Sequence, residues 1–407
     1  MSAPDELFSP GRHEPVVEIA WTSAGAEAEL HQLVDGIVAA YRGPELLWPN
    51  HPGDLDDGEP DVPLRTLYLG AGGIVWALAR IERLGVAEVP LDLAGIAAAL
   101  VDGWRAAPEF TEFYPSPHPS LLMGETGLLA LAESFTPSRA RRDRIAECVR
   151  ANAYNPTREL LWGSPGTMHV ALQLAEQTGE ERWRALWLES AHWLTDEWHD
   201  VVWEQDLYGT HDRYVGMGHG FAGNVHALLR GRAMLEAEAA DDVERRVLTV
   251  LEGLAERADG CVRWPELLGR VVEPDKLRTQ WCHGAPGFVS GLGAVLGRDP
   301  AVDALLAGGG ELTWRAGPLR ANASLCHGTA GNGYAFLRLF ARTGDEVWLG
   351  RARAFALHAA LQSRSLERDS GCSRLPLFTG DAGVAVFLAA CLRGDVPAFP
   401  VLDGILP

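Results

Sequence analysis

Two near-copies of one heptapeptide hold the most reactive side chains in the sequence. Trp281-Cys282-His283-Gly284-Ala285-Pro286-Gly287 and Leu325-Cys326-His327-Gly328-Thr329-Ala330-Gly331 lie 44 residues apart, and each sets a thiol beside an imidazole. A third stretch, Gly218-His219-Gly220-Phe221-Ala222-Gly223, keeps the histidine without the cysteine. Thiolate and imidazole are standard zinc ligands, and three protein ligands leave a fourth position for water or substrate. A thiol on such an ion loses its proton near neutral pH and becomes a strong nucleophile. Two cysteine ligands also make an electron-rich shell that keeps a further, external thiolate reactive. The spacing does not decide which three of Cys282, His283, Cys326 and His327 bind, because the two pairs are symmetric.

Something must bring such distant segments together, and the chain has a repeated device for it. Seven Gly-x-x-Gly turns occur, at Gly70–Gly73, Gly124–Gly127, Gly163–Gly166, Gly220–Gly223, Gly284–Gly287, Gly328–Gly331 and Gly380–Gly383. Each is followed by an apolar, helix-favouring run such as Ile74-Val75-Trp76-Ala77-Leu78 or Val384-Ala385-Val386-Phe387-Leu388. Successive first glycines are 39 to 64 residues apart, room for two helices and their connections. Between the turns lie amphipathic segments. Ala140 to Ala151 sets Ile145, Cys148 and Val149 on one face among charged residues, and Trp183 to Trp198 spaces Leu186, Trp187, Leu194 and Trp198 helically. Apolar helices alternating with half-polar ones read as an inner and an outer layer. The uneven spacing does not suit an open solenoid of fixed period, whereas a closed ring tolerates outer loops of any length. Seven helix starts gathered at one end of a ring would line a shared cavity with unpaired backbone N–H groups. Gly70-Ala71-Gly72-Gly73 lacks the Lys-Ser/Thr of a phosphate loop and no parallel-strand pattern surrounds it, so a nucleotide reading fails.

Composition narrows the partners. The formal charge of −20, from 55 acidic against 35 basic residues, would repel a phosphate backbone, which argues against nucleic acid. No run of about 18 apolar residues appears, so no membrane span is expected. Residues 1–15 carry Asp5, Glu6 and Glu14 and no apolar core of a secretion signal, which points to the cytoplasm. In that reducing setting the six cysteines should be thiols, ligands or catalytic groups, and no Cys-x-x-Cys pair exists. Cys148, Cys261, Cys372 and Cys391 have no partner motif and read as packing residues or solvent thiols. The tryptophans read mostly as filling between helices, with Trp281 the one expected to touch the cavity. A Pro-, Gly- and Asp-rich stretch from Trp48 to Pro63 separates an N-terminal segment, residues 1–60, from a main domain, residues 61–407. The segment is expected to complete the outer layer.

The Cys/His turns, together with the plain turns at 70, 124, 163 and 380, resemble the lanthionine cyclase-like (LanC-like) family from about residue 60 to the C-terminus. The resemblance implies an all-α fold, an α/α toroid of about seven inner and seven outer helices with zinc at one end of a central cavity. It also implies that Cys282, Cys326 and His327 are the zinc ligands and that His283 is a neighbour. His219 falls on the family's general acid/base histidine, and a neutral imidazole suits that task. Glu159, four positions before the third turn, and Arg278, four before the first ligand, fall on family site positions; Arg278 would stabilise a developing enolate by charge.

The chemistry implied is addition of a cysteine thiol to dehydroalanine or dehydrobutyrine, giving a thioether without a redox cofactor. The partners implied are a dehydrated precursor peptide or protein, or glutathione, and a dehydratase that prepares the alkene. Peptide cyclases of the family often have Tyr where this chain has His283 and Asp where it has Glu159. The motifs here are closer to the stand-alone branch, which resembles glutathione-adding enzymes. Basic residues before the last turn help hold glutathione in that branch, and Arg374 occupies a similar segment. Trp281, His283 and Arg374 are therefore the expected substrate contacts. A scaffold that keeps zinc without turnover is the rival reading. A glycosidase would need paired carboxylates, and none stand at the turns.

Overall fold

The computed structural model describes residues 7–54, 62–111, 118–320, 322–394, 399–402 and 404. In chain order its helices begin with α1 (Ser23–Ala39), α2 (Ala71–Arg83), α3 (Leu93–Ala106), α4 (Glu125–Phe135) and α5 (Arg139–Asn152). They continue with α6 (Ser164–Thr178), α7 (Glu181–Asp196), α8 (Phe221–Arg230) and α9 (Ala237–Leu254). A broken rod follows, α10 (Ala285–Gly287), a π turn (Phe288–Leu292) and α11 (Gly293–Val295). The last four are α12 (Pro300–Ala316), α13 (Thr329–Thr343), α14 (Glu346–Ser370) and α15 (Asp381–Arg393). Strands are confined, among the described residues, to two hairpins: β1 (Gln205–Leu207) with β2 (Thr210–Asp212), and β3 (Glu256–Ala258) with β4 (Cys261–Arg263).

The fold is an α/α toroid. Among the described residues seven rods form an inner ring: α2, α4, α6, α8, the broken rod, α13 and α15. The ring closes where α15 packs on α2. The other seven helices lie outside, each against one or two inner rods; α14, for example, packs on α13 and α15. Inner rods are buried almost all round, as in α8, where nine consecutive residues from Phe221 to Leu229 are buried. Outer helices bury one stripe, as in α9 with Ala240, Val243, Val247, Val250 and Leu251. The N-terminal segment supplies α1, which buries Ala26, Leu30, Val34 and Ile37 and packs on α15 and α14. The boundary expected at residue 60 lies outside the described residues.

All seven inner rods start the same way. The first glycine of each turn is the N-cap residue, and the second sits one turn inside. A Cβ on that second glycine would overlap the carbonyl oxygen of the residue six positions earlier, at all seven turns. The approach of the incoming loop to the helix therefore admits only glycine. The loops are also tied to each other in the ring: Tyr68 N donates to Leu122 O (3.0 Å), Gly218 N to Cys282 O (2.9 Å), Cys282 N to Cys326 O (3.4 Å) and Cys326 N to Phe378 O (2.9 Å). These bonds link residues that stand two positions before six of the seven first glycines, at the helix starts.

Candidate active site

These helix starts bring together a cluster that could hold a metal ion. Cys282, Cys326 and His327 present their sulfurs and an imidazole nitrogen within 4.8 Å of one another. Ligands about 2.0–2.3 Å from a tetrahedral ion sit roughly 3.3–3.8 Å apart, so this set can close on one ion with small adjustment. The donor chemistry, two sulfurs and one nitrogen, is that of a zinc site with an open fourth position. Both cysteines are buried, while His327 is exposed at the rim. Burial disfavours charge on Cys282, yet the Cys326 thiol and the flanking His283 and His327 outweigh it and hold Cys282 well below the usual thiol range. Cys326 moves the opposite way, pushed up by burial and by its charged neighbour.

Several groups orient this cluster. Gln280 Nε2 donates to the Cys282 sulfur at 3.1 Å. The Tyr68 phenol hydrogen-bonds the Cys326 sulfur, and its ring stacks on Phe378 at 5.1 Å. Burial, then the charge of the two sulfurs, keeps Tyr68 protonated well above its ordinary range.

Beside the cluster stands a histidine–carboxylate pair. His219 Nδ1 donates to Glu159 Oε2 at 3.1 Å. Glu159 is fully buried and also receives the backbone N–H of Leu161 (3.0 Å) and of Trp162 (2.5 Å). Three donors on one carboxylate hold it rigidly and fix the imidazole tautomer, which leaves Nε2 of His219 for chemistry. Burial opposes a charge on His219, but the hydrogen bond and charge of Glu159 win and raise its pKa. His219 and His283 lie ring to ring at 5.5 Å, and Tyr214 packs near both, at 6.0 and 5.9 Å.

A cavity of about 520 Å³ opens on this end, lined by Arg12, Arg278, Gln280, Arg320, Asn322 and His327 among others. Arg278 is half-exposed and held by Glu266 at 2.6 Å. Arg12 arrives from the N-terminus because residues 12–14 pair with residues 317–320: Arg320 N donates to Arg12 O (3.0 Å) and Glu14 N to Pro318 O (3.0 Å). Three arginines therefore line a hollow that reaches His327, with Arg278 paired to Glu266 and Arg320 Nη2 donating to His13 O (2.9 Å).

The expected substrate contacts are placed differently from one another. His283 lies in the site, against Cys282 and 3.9 Å from Glu266. Trp281 is fully buried beneath it, stacked on Phe399 at 4.4 Å with Tyr334 packed on the same Phe399 ring. Arg374 pairs with both oxygens of Asp54 (to Nε, 3.0 Å each) and lines a separate hollow of about 170 Å³. Motif reading did not single out Tyr68, Gln280, Tyr208, Tyr214, Glu266, Arg12 or Arg320. Register could have found two of them. Tyr68 stands two positions before its glycine, as Cys282 and Cys326 do, and Gln280 stands four before, as Glu159 does. For Arg12 and Arg320, some 300 residues apart, no such signal exists.

The helix starts of this toroid hold a Cys/Cys/His cluster beside a histidine–carboxylate pair. The profile of the lanthionine synthetase C-like protein family matches residues 64–403, and the chain belongs to that family. It is 28% identical over 314 residues to glutathione S-transferase LANCL1 of Danio rerio, covering 70% of this chain and 74% of the fish protein. It is 34% identical over 159 residues to LanC-like protein GCL1 of Arabidopsis thaliana, covering 37% of this chain and 34% of that protein. Among solved structures it is similar in fold to nisin cyclase, with a TM-score of 0.61, 14% identity and coverage of 90% of this chain and 94% of the cyclase. At the level of the family the chain is an enzyme. No helix among the described residues is long and apolar enough to cross a membrane.

Proposed function

We propose that this protein adds a thiol to the double bond of a dehydroalanine or dehydrobutyrine residue, forming a thioether, with zinc held by Cys282, Cys326 and His327. The observation that carries the reading is the meeting of those three ligands with the His219–Glu159 pair at one end of the ring. When bound, the ion would lower the pKa of a substrate thiol and hold it as thiolate. His219 Nε2 accepts the thiol proton and later returns one to the α-carbon, a reach its fixed tautomer allows. Glu159 steadies the imidazolium in between. Arg278 directs positive charge toward the enolate that forms as sulfur joins the β-carbon. His283, beside Cys282, packs at the edge of the reacting groups.

Glutathione is the thiol donor the pocket suits best. A hollow of about 520 Å³ is of small-ligand size, and Arg12, Arg278 and Arg320 match a thiol that carries carboxylates. The name of the fish relative points the same way. The alkene partner would then be a dehydrated peptide or protein supplied by a dehydratase, in a reducing compartment such as the cytoplasm.

Metal analysis should find close to one zinc per chain, and Cys326→Ala should lose it. Incubation with glutathione and a dehydroalanine peptide should give the adduct mass. A peptide that carries its own cysteine and closes a ring in preference would instead point to a cyclase. Zinc retention with no thioether from either substrate would leave only a scaffold. Purified protein that holds no zinc and is unchanged by Cys326→Ala would sink the mechanism.

A further inference from the structure

Strain in the backbone collects around one indole near the site. Six described non-glycine residues have positive φ, and three of them, Phe110 (58°), Arg158 (44°) and Tyr208 (53°), adjoin the Glu159–Trp162 segment. Bulky residues rarely adopt this conformation, and where they do the surroundings must enforce it, often for function. Arg158 directly precedes Glu159. Phe110 and Tyr208 both meet the ring of Trp162: Phe110 edge-on at 5.9 Å, and Tyr208 by accepting a 3.0 Å hydrogen bond from the indole N–H.

Tyr208 and Gly209 form the two-residue turn between β1 and β2, both with positive φ. Such turns favour Asn-Gly, so a tyrosine there runs against local preference. The hairpin is fastened to the loop that carries Glu159. Asp206 N donates to Pro156 O (3.1 Å), Arg158 Nη1 to Glu204 O (2.9 Å), and Gln205 Nε2 to Arg158 O (3.4 Å). Tyr208 as a whole residue is 58% exposed, but its hydroxyl end dips inward to Trp162 and its ring stands edge-on to His219 at 6.3 Å. The hydroxyl is near enough to Cys326 and Glu159 to feel their charges. Because Trp162 already donates to its oxygen, the phenol proton is free to point at a different acceptor. Burial, with Glu159 adding, pushes the Tyr208 pKa up to about 12, so the proton stays in place through the neutral range.

We propose that Tyr208, set by its strained hairpin turn and by the Trp162 N–H, donates a hydrogen bond to the carbonyl oxygen conjugated with the substrate alkene. This rests on the thiol-addition reading and extends it to the electrophile. As the sulfur–Cβ bond forms, the π electrons of the alkene move onto the carbonyl oxygen as an enolate, and the phenol steadies that oxygen without giving up its proton. Reprotonation of the α-carbon by the imidazolium of His219 then completes the addition, with no oxidant or reductant involved.

The test is Tyr208→Phe in the full-length, zinc-loaded protein, assayed with glutathione and a dehydroalanine peptide. Loss of one donor to a developing oxyanion lowers kcat about 10²- to 10³-fold. The expected result is a fall of that order with KM for the peptide nearly unchanged and zinc content as in wild type, while the melting temperature falls modestly because the Trp162 N–H loses its acceptor. A role confined to holding the hairpin would spare kcat while lowering the melting temperature or raising KM, and would overturn the assignment. So would an active wild type whose Tyr208→Phe variant keeps kcat within twofold. Wild-type protein that makes no thioether would overturn the thiol-addition reading and the role of Tyr208 with it.

Discussion

Replacing Glu159 with glutamine removes one charge and almost no volume, which makes it the sharpest probe of the site. The carboxylate now receives three N–H groups, from Leu161, Trp162 and His219, while a glutamine offers one oxygen and one NH₂. At least one buried N–H must then face another N–H, costing about 1–3 kcal/mol of stability. The imidazole loses more. Its hydrogen bond to a charged acceptor contributes about 1.5–3 kcal/mol, and the bond strengthens as His219 takes the thiol proton. Forfeiting that amount in the transition state lowers kcat by about 10- to 150-fold. Zinc should stay, since Glu159 is not among the clustered ligands. The assay is the rate of glutathione adduct formation by mass spectrometry, with zinc content and thermal melting on the same preparation. A Glu159→Gln protein that keeps both its zinc and the wild-type rate would show that the carboxylate does not govern His219.

Four further outcomes are expected. Gly166→Ala, whose Cβ would meet Leu160 O at 2.5 Å and the Leu121 Cβ at 3.1 Å, should lose about 1–3 kcal/mol in denaturant melts. Gly350→Ala, in the open on α14, should gain about 0.5–1 kcal/mol, and equal effects at the two sites would contradict the packing argument. His118 is pushed down to about 4 by burial, and its Nδ1 accepts the Ser120 N–H at 3.1 Å. The unfolded chain therefore binds a proton that the folded chain refuses, and stability falls as pH drops from about 6.5 toward 4, by up to about 3 kcal/mol. Burial pushes Glu109 up to about 7 and Asp381 to about 6, which works in the opposite sense, so the measurement is the difference between wild type and His118→Gln across that window. A difference that stays flat with pH would refute it. Arg320→Ala should raise KM for glutathione several-fold and leave kcat within about twofold, because a pocket cation binds ground and transition states alike. An unchanged KM would remove glutathione from that hollow.

The sequence by itself determined the inner ring, because its cause is local. A loop that passes within contact of a helix start excludes every Cβ, so glycine must recur at each of the seven turns, and the apolar run behind each turn reports full burial. Two of those turns carry Cys-His, and that was enough to name Cys282, His283, Cys326 and His327 as the candidate ligands of a metal site. The family resemblance already favoured His327 over His283, and the tertiary structure adds the surroundings of each: the His283 imidazole lies against Glu266 and Tyr214, while that of His327 groups with the two sulfurs. Only the tertiary structure decided the fate of charges that look alike in the chain. Arg278 and Arg374 stand at the same offset before their turns, yet one lines the cavity by His327 and the other is tied to Asp54. Arg12 enters the pocket only because the N-terminal strand-like segment pairs with residues 317–320. Backbone sterics leave a mark at every repeat, whereas ring closure joins residues hundreds of positions apart through contacts that impose no pattern on their neighbours.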